Sequence, residues 1–262
     1  MEGTRVLLLE STKGLLTTRG GAHIVWIAGM AGTGKTSIAL TLCRTLIKEP
    51  TIVLGGTFFC SRSAGSIDRT DVQCIIPTLA AVLARRIPPY AEALVKTLNN
   101  DPDLAHKAIR VQVEHLLAKP LEGLGSLDLQ IVFVIDALDE CSDEEKLVEF
   151  IDGLAGFSSE ASVKFLFTSR PEMHIRETSI ADTSLSSIIH LHTIDPAHVT
   201  ADIRLYIQKT LRRKRRRRAG TPKTTLTTLP LYPVVYSSLR LPRLRTFWAA
   251  SMPLAGRSRC RP

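Results

Sequence analysis

GMAGTGKT at residues 29–36 fits the spacing G-x-x-x-x-G-K-[S/T], which suits a backbone that must wrap a chain of phosphates. Gly29, Gly32 and Gly34 let the main chain bend close to an anion with its N–H groups turned inward, and a helix starting behind them adds positive potential. Lys35 is the residue that reaches the β- and γ-phosphates, and Thr36 offers a hydroxyl to Mg2+. Met30, Ala31, Thr33 and Ser37 belong to the same lining.

IVFVIDALDE at 131–140 is an apolar run that ends in acid. Asp136 is the candidate magnesium ligand opposite Thr36. Asp139 and Glu140 lie three and four positions further on, so a turn at Ala137-Leu138 would bring either back toward a terminal phosphate. Glu140 is the preferred water-activating residue, with Asp139 as its rival or as a second ligand in the metal shell. FLFTSRPE at 165–172 ends a further strand in polar residues, so Thr168, Ser169 and Arg170 are expected to project from the sheet edge, with Arg170 reading the γ-phosphate.

These residues need a scaffold of alternating strands and helices. HIVWIA at 23–28 reads as a strand, followed by a helix over 37–47 with Ile38, Leu42 and Leu46 at helical spacing. IVLGGTFF at 52–59 reads as a second strand, weakened by Gly55 and Gly56. Helices are expected over 72–83 and 104–117, with Pro88-Pro89 between them, and a buried parallel strand over 129–135. A helix over 144–154 takes Ser142 as its candidate N-cap, VKFLF at 163–167 is a third strand, 188–191 a last one, and 202–211 a helix. The pattern implies an α/β three-layer domain with a mostly parallel central sheet, and three segments: a lead-in over 1–19, the nucleotide domain over 20–211 and a disordered basic tail over 212–262.

Charge divides the chain at the same place. The first 202 residues carry 18 basic and all 25 acidic residues, a net charge of −7, whereas the remainder is basic only and includes RRKRRRR at 212–218. Binding to nucleic acid or an anionic surface, or nuclear import, therefore rests on the tail alone. The tail is read either as a real extension or as the product of an altered reading frame. Five cysteines without paired spacing favour a reducing, cytoplasmic setting over a disulfide scaffold. No apolar stretch is long enough to be a transmembrane segment, and the lead-in lacks the basic flank of a secretory signal. Cys43 reads as buried in its helix, and His190 with His192 as ordinary structural histidines.

Taken together, HIVWIAGMAGTGKTSIA, VFVIDALDECS and VKFLFTSRPE resemble the NACHT domain of fungal NOD-like, NWD2-type proteins, which are STAND-class P-loop ATPases. EGTRVLLLESTKGLL is similar to the segment that precedes their phosphate loop, and IIHLHTIDPAHVTADIRLYIQKTL to the one after their sensor strand. The resemblance covers about residues 2–211 and departs at Ala137, where the family has glycine in a D-G-x-D-E setting. It implies ATP/ADP with Mg2+ as cofactors, slow hydrolysis, signal transduction through nucleotide state, and homo-oligomers or other STAND proteins as partners. A catalytic P-loop enzyme of another class, such as a small-molecule kinase or a DNA-processing ATPase, and a non-binding scaffold are the competing readings.

Overall fold

The structure, a computed structural model, describes residues 5–62, 69–122, 124, 129–157, 162–178 and 186–191. Five parallel strands form one sheet in the order β2-β3-β4-β1-β5, where β1 is Ile24–Ala28, β2 Ile52–Phe59, β3 Gln130–Asp136, β4 Ser162–Ser169 and β5 Ser186–His190. The three central strands β1, β3 and β4 are short, rich in Val, Ile and Phe, and buried on both faces, which is how a parallel sheet covered by helices should read.

Alternation along the strands assigns the two faces. Trp26, Phe133, Phe165 and Phe167 point to one side and join the core beneath α3 (Ile75–Ala84), α4 (Pro88–Asn100) and α7 (Glu144–Ala155). Val25, Ile27, Val132, Val134 and Leu166 point to the other, where α2 (Lys35–Leu46) covers them with Ile38, Leu42 and Leu46. The lead-in contributes helix α1 (Val6–Thr17), whose Leu16 is fully buried in that second core and whose Leu16 carbonyl accepts from Gln130 Nε2. Three layers result, and the C-terminal ends of β1, β4 and β3 lie side by side.

Several local expectations change. The helix expected over 72–83 starts as a 3-10 turn at Val72–Cys74 before α3, and Pro88-Pro89 open α4, proline being tolerated in a first turn where its N–H has no partner to lose. The helix expected over 104–117 is broken into a 3-10 turn at Leu104–His106, a short α5 (Ile109–Gln112) and a π-helix at Val113–Ala118. Gln112 Nε2 donates to the carbonyls of Ala105 at 2.8 Å and Lys107 at 3.1 Å, so a buried side-chain amide takes acceptors that a continuous helix would use. Short α6 (Lys119–Glu122) follows. Helix α7 is capped by Asp143, which accepts the Lys146 N–H, while Ser142 bonds to the Thr70 carbonyl instead.

Gly55 and Gly56 do not weaken β2 but fit it to its neighbours. A Cβ on Gly55 would lie 2.7 Å from both Ile131 Cγ2 and Phe133 Cε1, and the β2–β3 register shifts between Leu54 and Gly56. The expected helix over 202–211, His192 and the whole basic tail lie outside the described residues.

Candidate functional site

Strand β1 stops where Gly29 N–H donates to the Ser169 carbonyl at 3.1 Å, and the chain then turns through Gly32 and Gly34, both at positive φ (78° and 86°), before α2 begins at Lys35. Gly29 has no room for a side chain: a Cβ there would sit 2.8 Å from Thr33 Oγ1 and 2.9 Å from Leu191 Cδ1. Thr33 Oγ1 donates to the Met30 carbonyl at 2.8 Å, and Arg5 Nη2, at the head of α1, donates to the Thr33 carbonyl at 3.0 Å. Met30, Ala31, Gly32 and Thr36 are exposed, with Gly34, Lys35 and Ser37 half-buried beside them. The Lys35 ammonium turns back over the loop, donating to the carbonyls of Gly29 at 2.6 Å and Met30 at 3.1 Å.

Asp136 ends β3 almost fully buried. Thr168 Oγ1 donates to its Oδ1 at 2.5 Å and accepts the Ala137 N–H at 3.0 Å, so one hydroxyl ties the acid to the turn that follows. Burial raises the Asp136 carboxyl above its ordinary range; the hydroxyls of Thr168 and Thr36 and the charge of Lys35 pull the other way without cancelling it. Lys35 is shifted down, chiefly by burial and also by Arg170, against the opposing pull of Asp139, Asp136 and Glu140.

Ala137 adopts the left-handed conformation (φ 59°, ψ 49°), and Leu138–Glu140 form a 3-10 turn. The turn brings Asp139 to Arg170: Oδ1 accepts the Arg170 backbone N–H at 3.0 Å and Oδ2 lies 3.1 Å from its Nε. Glu140 points elsewhere, its Oε2 accepting the backbone N–H of Arg62 at 2.9 Å. Only Arg170 of the three residues 168–170 projects. Thr168 and Ser169 are fully buried, because Thr168 serves Asp136 and Ser169 Oγ accepts Trp26 Nε1 at 2.8 Å.

A cleft of about 450 Å³ opens beside these groups, lined by Arg62, Asp139, Glu140, Glu144, Arg170, Glu172 and His174, the last on the short helix α8 (Met173–Arg176). Arg62 is the residue that sequence reasoning missed, an arginine three positions past the end of β2 being its only signal, and Thr168, expected to project from the sheet edge, instead serves Asp136 and the Ala137 N–H. Cys43 is buried and its thiol is pushed up to about 12 by burial, so it is no nucleophile. His190 lies edge-on to Trp26, with ring centroids 6.5 Å apart.

The donor set suits a hard cation and a polyphosphate: a threonine hydroxyl and a carboxylate oxygen lie beside a glycine turn at the N-terminus of α2 and one ammonium. Among the described residues no group of three or more His, Cys, Asp or Glu side chains is placed to hold a metal, and no helix is long and apolar enough to cross a membrane.

Residues 3–170 match the family model described as nephrocystin 3, N-terminal. No curated protein matches the sequence. Among solved structures, the chain is similar to the crystal structure of Cdc6p from Pyrobaculum aerophilum at 16% identity and a TM-score of 0.41, covering 73% of this chain and 46% of that one. The chain thus spans less than half the length of that protein.

Proposed function

The chain belongs to the nephrocystin 3 N-terminal family and is a P-loop NTPase-like, nucleotide-binding module; from that premise we propose that it binds a nucleoside triphosphate with Mg2+ over residues 29–37 and hydrolyses it slowly. Lys35 holds the terminal phosphates, Thr36 and Asp136 hold the metal, Asp139 and Glu140 supply carboxylates for the attacking water, and Arg170 answers to the γ-phosphate. Magnesium, when bound, neutralises charge on the phosphate oxygens. ATP is the assigned nucleotide on the NACHT-type resemblance, and residues 20–211 are the assigned module.

One observation carries this reading. The Lys35 ammonium, on the loop after β1, lies within the electrostatic reach of Asp136, Asp139 and Glu140 from the end of β3 and of Arg170 from the end of β4, so three strand ends converge on it. A glycine turn without a phosphate role gives no reason for that convergence.

The finer reading is a regulatory switch of the NOD-like type. It is supported by the Asp139–Arg170 pair, which joins the hydrolytic turn to the sensor strand and offers a γ-phosphate a competing partner. A second reading, a phosphotransferase acting on a small acceptor, is favoured by the cleft, whose size is within the range of small-molecule sites of roughly 300–1,000 Å³.

Calorimetry of the full chain with ATP, ADP and GTP in the presence of Mg2+, followed by turnover and size measurements on the same sample, tests these proposals. Tight ATP binding with slow turnover and a change of assembly between ATP and ADP supports the switch. Transfer of label to an added acceptor, or stimulation by nucleic acid, replaces the switch with a catalytic enzyme of another class. Failure of the folded chain to bind any of the three removes the reading altogether.

A further inference from the structure

Arg62 lies just beyond the end of β2 and makes four hydrogen bonds to the turn that carries the two candidate hydrolytic acids. Its backbone N–H donates to Glu140 Oε2 at 2.9 Å, its Nε to the Glu140 carbonyl at 3.3 Å, and its Nη2 to the carbonyls of Asp139 at 2.8 Å and Cys141 at 3.1 Å. Three successive carbonyls at the end of a 3-10 turn have no partners within that turn, and a guanidinium is the one side chain with enough donors in a fixed fork to take all three.

The turn needs such a hold. It starts from Ala137 in a left-handed conformation, a geometry that persists only where the surroundings over-determine it. Thr168 fixes its entry by accepting the Ala137 N–H, the Thr70 carbonyl fixes its exit by accepting the Ser142 N–H at 3.0 Å, and Arg62 fixes what lies between.

The same contacts sort the two acids. Glu140 is drawn sideways onto the Arg62 amide beyond β2, whereas Asp139 is held at the end of β4 by the Arg170 N–H and Nε, one residue past the Ser169 carbonyl that accepts the Gly29 N–H at the start of the glycine loop. Resting on the proposed triphosphate site, we infer that Arg62 is a positioning residue for hydrolysis: it clamps residues 139–141 so that Asp139, and not Glu140, faces the terminal phosphate. The expected first choice from sequence, Glu140, thereby becomes the anchoring acid of the pair.

The test uses the full chain and its Arg62→Ala, Arg62→Lys, Asp139→Asn and Glu140→Gln variants, read by ATP affinity, turnover, thermal unfolding and hydrogen exchange of peptides covering 137–142. Arg62→Ala is expected to keep ATP affinity and unfolding temperature, speed exchange in 137–142, and lower kcat by roughly a hundredfold, the scale of an ångström-sized misplacement. Arg62→Lys should not restore turnover, since one ammonium cannot span three carbonyls. Asp139→Asn should lower kcat more than Glu140→Gln.

Unchanged exchange in Arg62→Ala overturns the clamp, and loosened exchange with wild-type turnover overturns its part in hydrolysis. Affinity, turnover and unfolding temperature falling together would make Arg62 a structural residue only. A wild type that binds no triphosphate overturns the nucleotide reading and the hydrolytic assignment, while the exchange measurement still decides whether Arg62 holds the turn.

Discussion

Asp139 and Arg170 are joined twice, once through the Arg170 backbone N–H at 3.0 Å and once through its Nε at 3.1 Å. The two ends of this pair differ in freedom: the Asp139 side chain is 7% exposed and that of Arg170 is 47% exposed. Any rearrangement at this point therefore falls to the arginine. It stands at the end of β4, the strand between the one that leads into the phosphate loop and the one that ends in Asp136.

On the proposed reading, a γ-phosphate competes with Asp139 for that guanidinium, and a diphosphate does not reach it. Arg170→Ala should weaken ATP binding by roughly tenfold, the equivalent of one charge-assisted hydrogen bond, and leave ADP binding nearly unchanged. Calorimetry with both nucleotides reads the difference; equal losses for ATP and ADP would take the sensor role away from Arg170.

Lys35→Ala removes the ammonium that lies over the Gly29 and Met30 carbonyls. The side chain is half-buried and belongs to neither hydrophobic core, so the fold should survive with an unchanged far-UV spectrum. Triphosphate affinity should drop by about tenfold to a hundredfold, as expected for losing bonds to a charged group. A folded variant with wild-type ATP affinity would refute the phosphate role.

The glycine turn between β1 and α2 and the acid at the end of β3 were legible because each is a contiguous signal: eight consecutive residues in one case, an apolar strand closed by a carboxylate in the other. The parallel sheet was legible for the same reason, through short apolar runs separated by helical ones. What the sequence hid depends on distant partners. Arg62 meets Glu140 across 78 residues, and Thr168 meets Asp136 across 32, so neither has a local signature. The break in the segment 104–117 was hidden differently, since its apolar spacing is helical and only the folded position of the Gln112 amide reveals the competition. Thr168 and Ser169 read as ligand-facing because they end a strand, yet the buried Asp136 and Trp26 each require a hydroxyl there.

Asp136 links function to pH. Its carboxyl is raised mainly by burial, so the folded protein binds that proton more tightly than the unfolded chain does. For a raised acid the sign is that stability is highest below the ordinary carboxylate value and declines as pH rises toward the folded-state value, above which the charged group is a fixed burden. Asp136→Asn removes that burden while keeping an oxygen for the Thr168 hydroxyl. Without nucleotide the variant should melt higher than wild type near neutral pH, with the gap closing on acidification, and its ATP affinity should no longer respond to Mg2+. Thermal unfolding from about pH 4 to pH 8 and calorimetry with and without Mg2+ check the two halves; a lower melting temperature at neutral pH would mean that the ionised carboxylate is net stabilising.

Ala137 is the turn residue on which the placement of Asp139 depends, and at φ 59° it occupies a region that L-residues enter at a cost of about 1–2 kcal/mol. Glycine enters it freely, but a glycine also gives the unfolded chain more freedom, which offsets roughly 0.4–1 kcal/mol of the gain. The methyl group of Ala137 is buried at the margin of the larger core, and its loss takes away a further fraction. Ala137→Gly should therefore stabilise the protein by about 1 kcal/mol or less, a rise of up to roughly 2–4 °C in melting temperature for a domain of this size. Nucleotide affinity should be kept, because the Thr168 and Arg62 contacts that define the turn involve backbone groups that the substitution leaves in place. A fall in melting temperature would show that packing of the methyl group outweighs the backbone strain. A gain in stability with a loss of turnover would show that the restricted backbone of alanine is what keeps Asp139 in line.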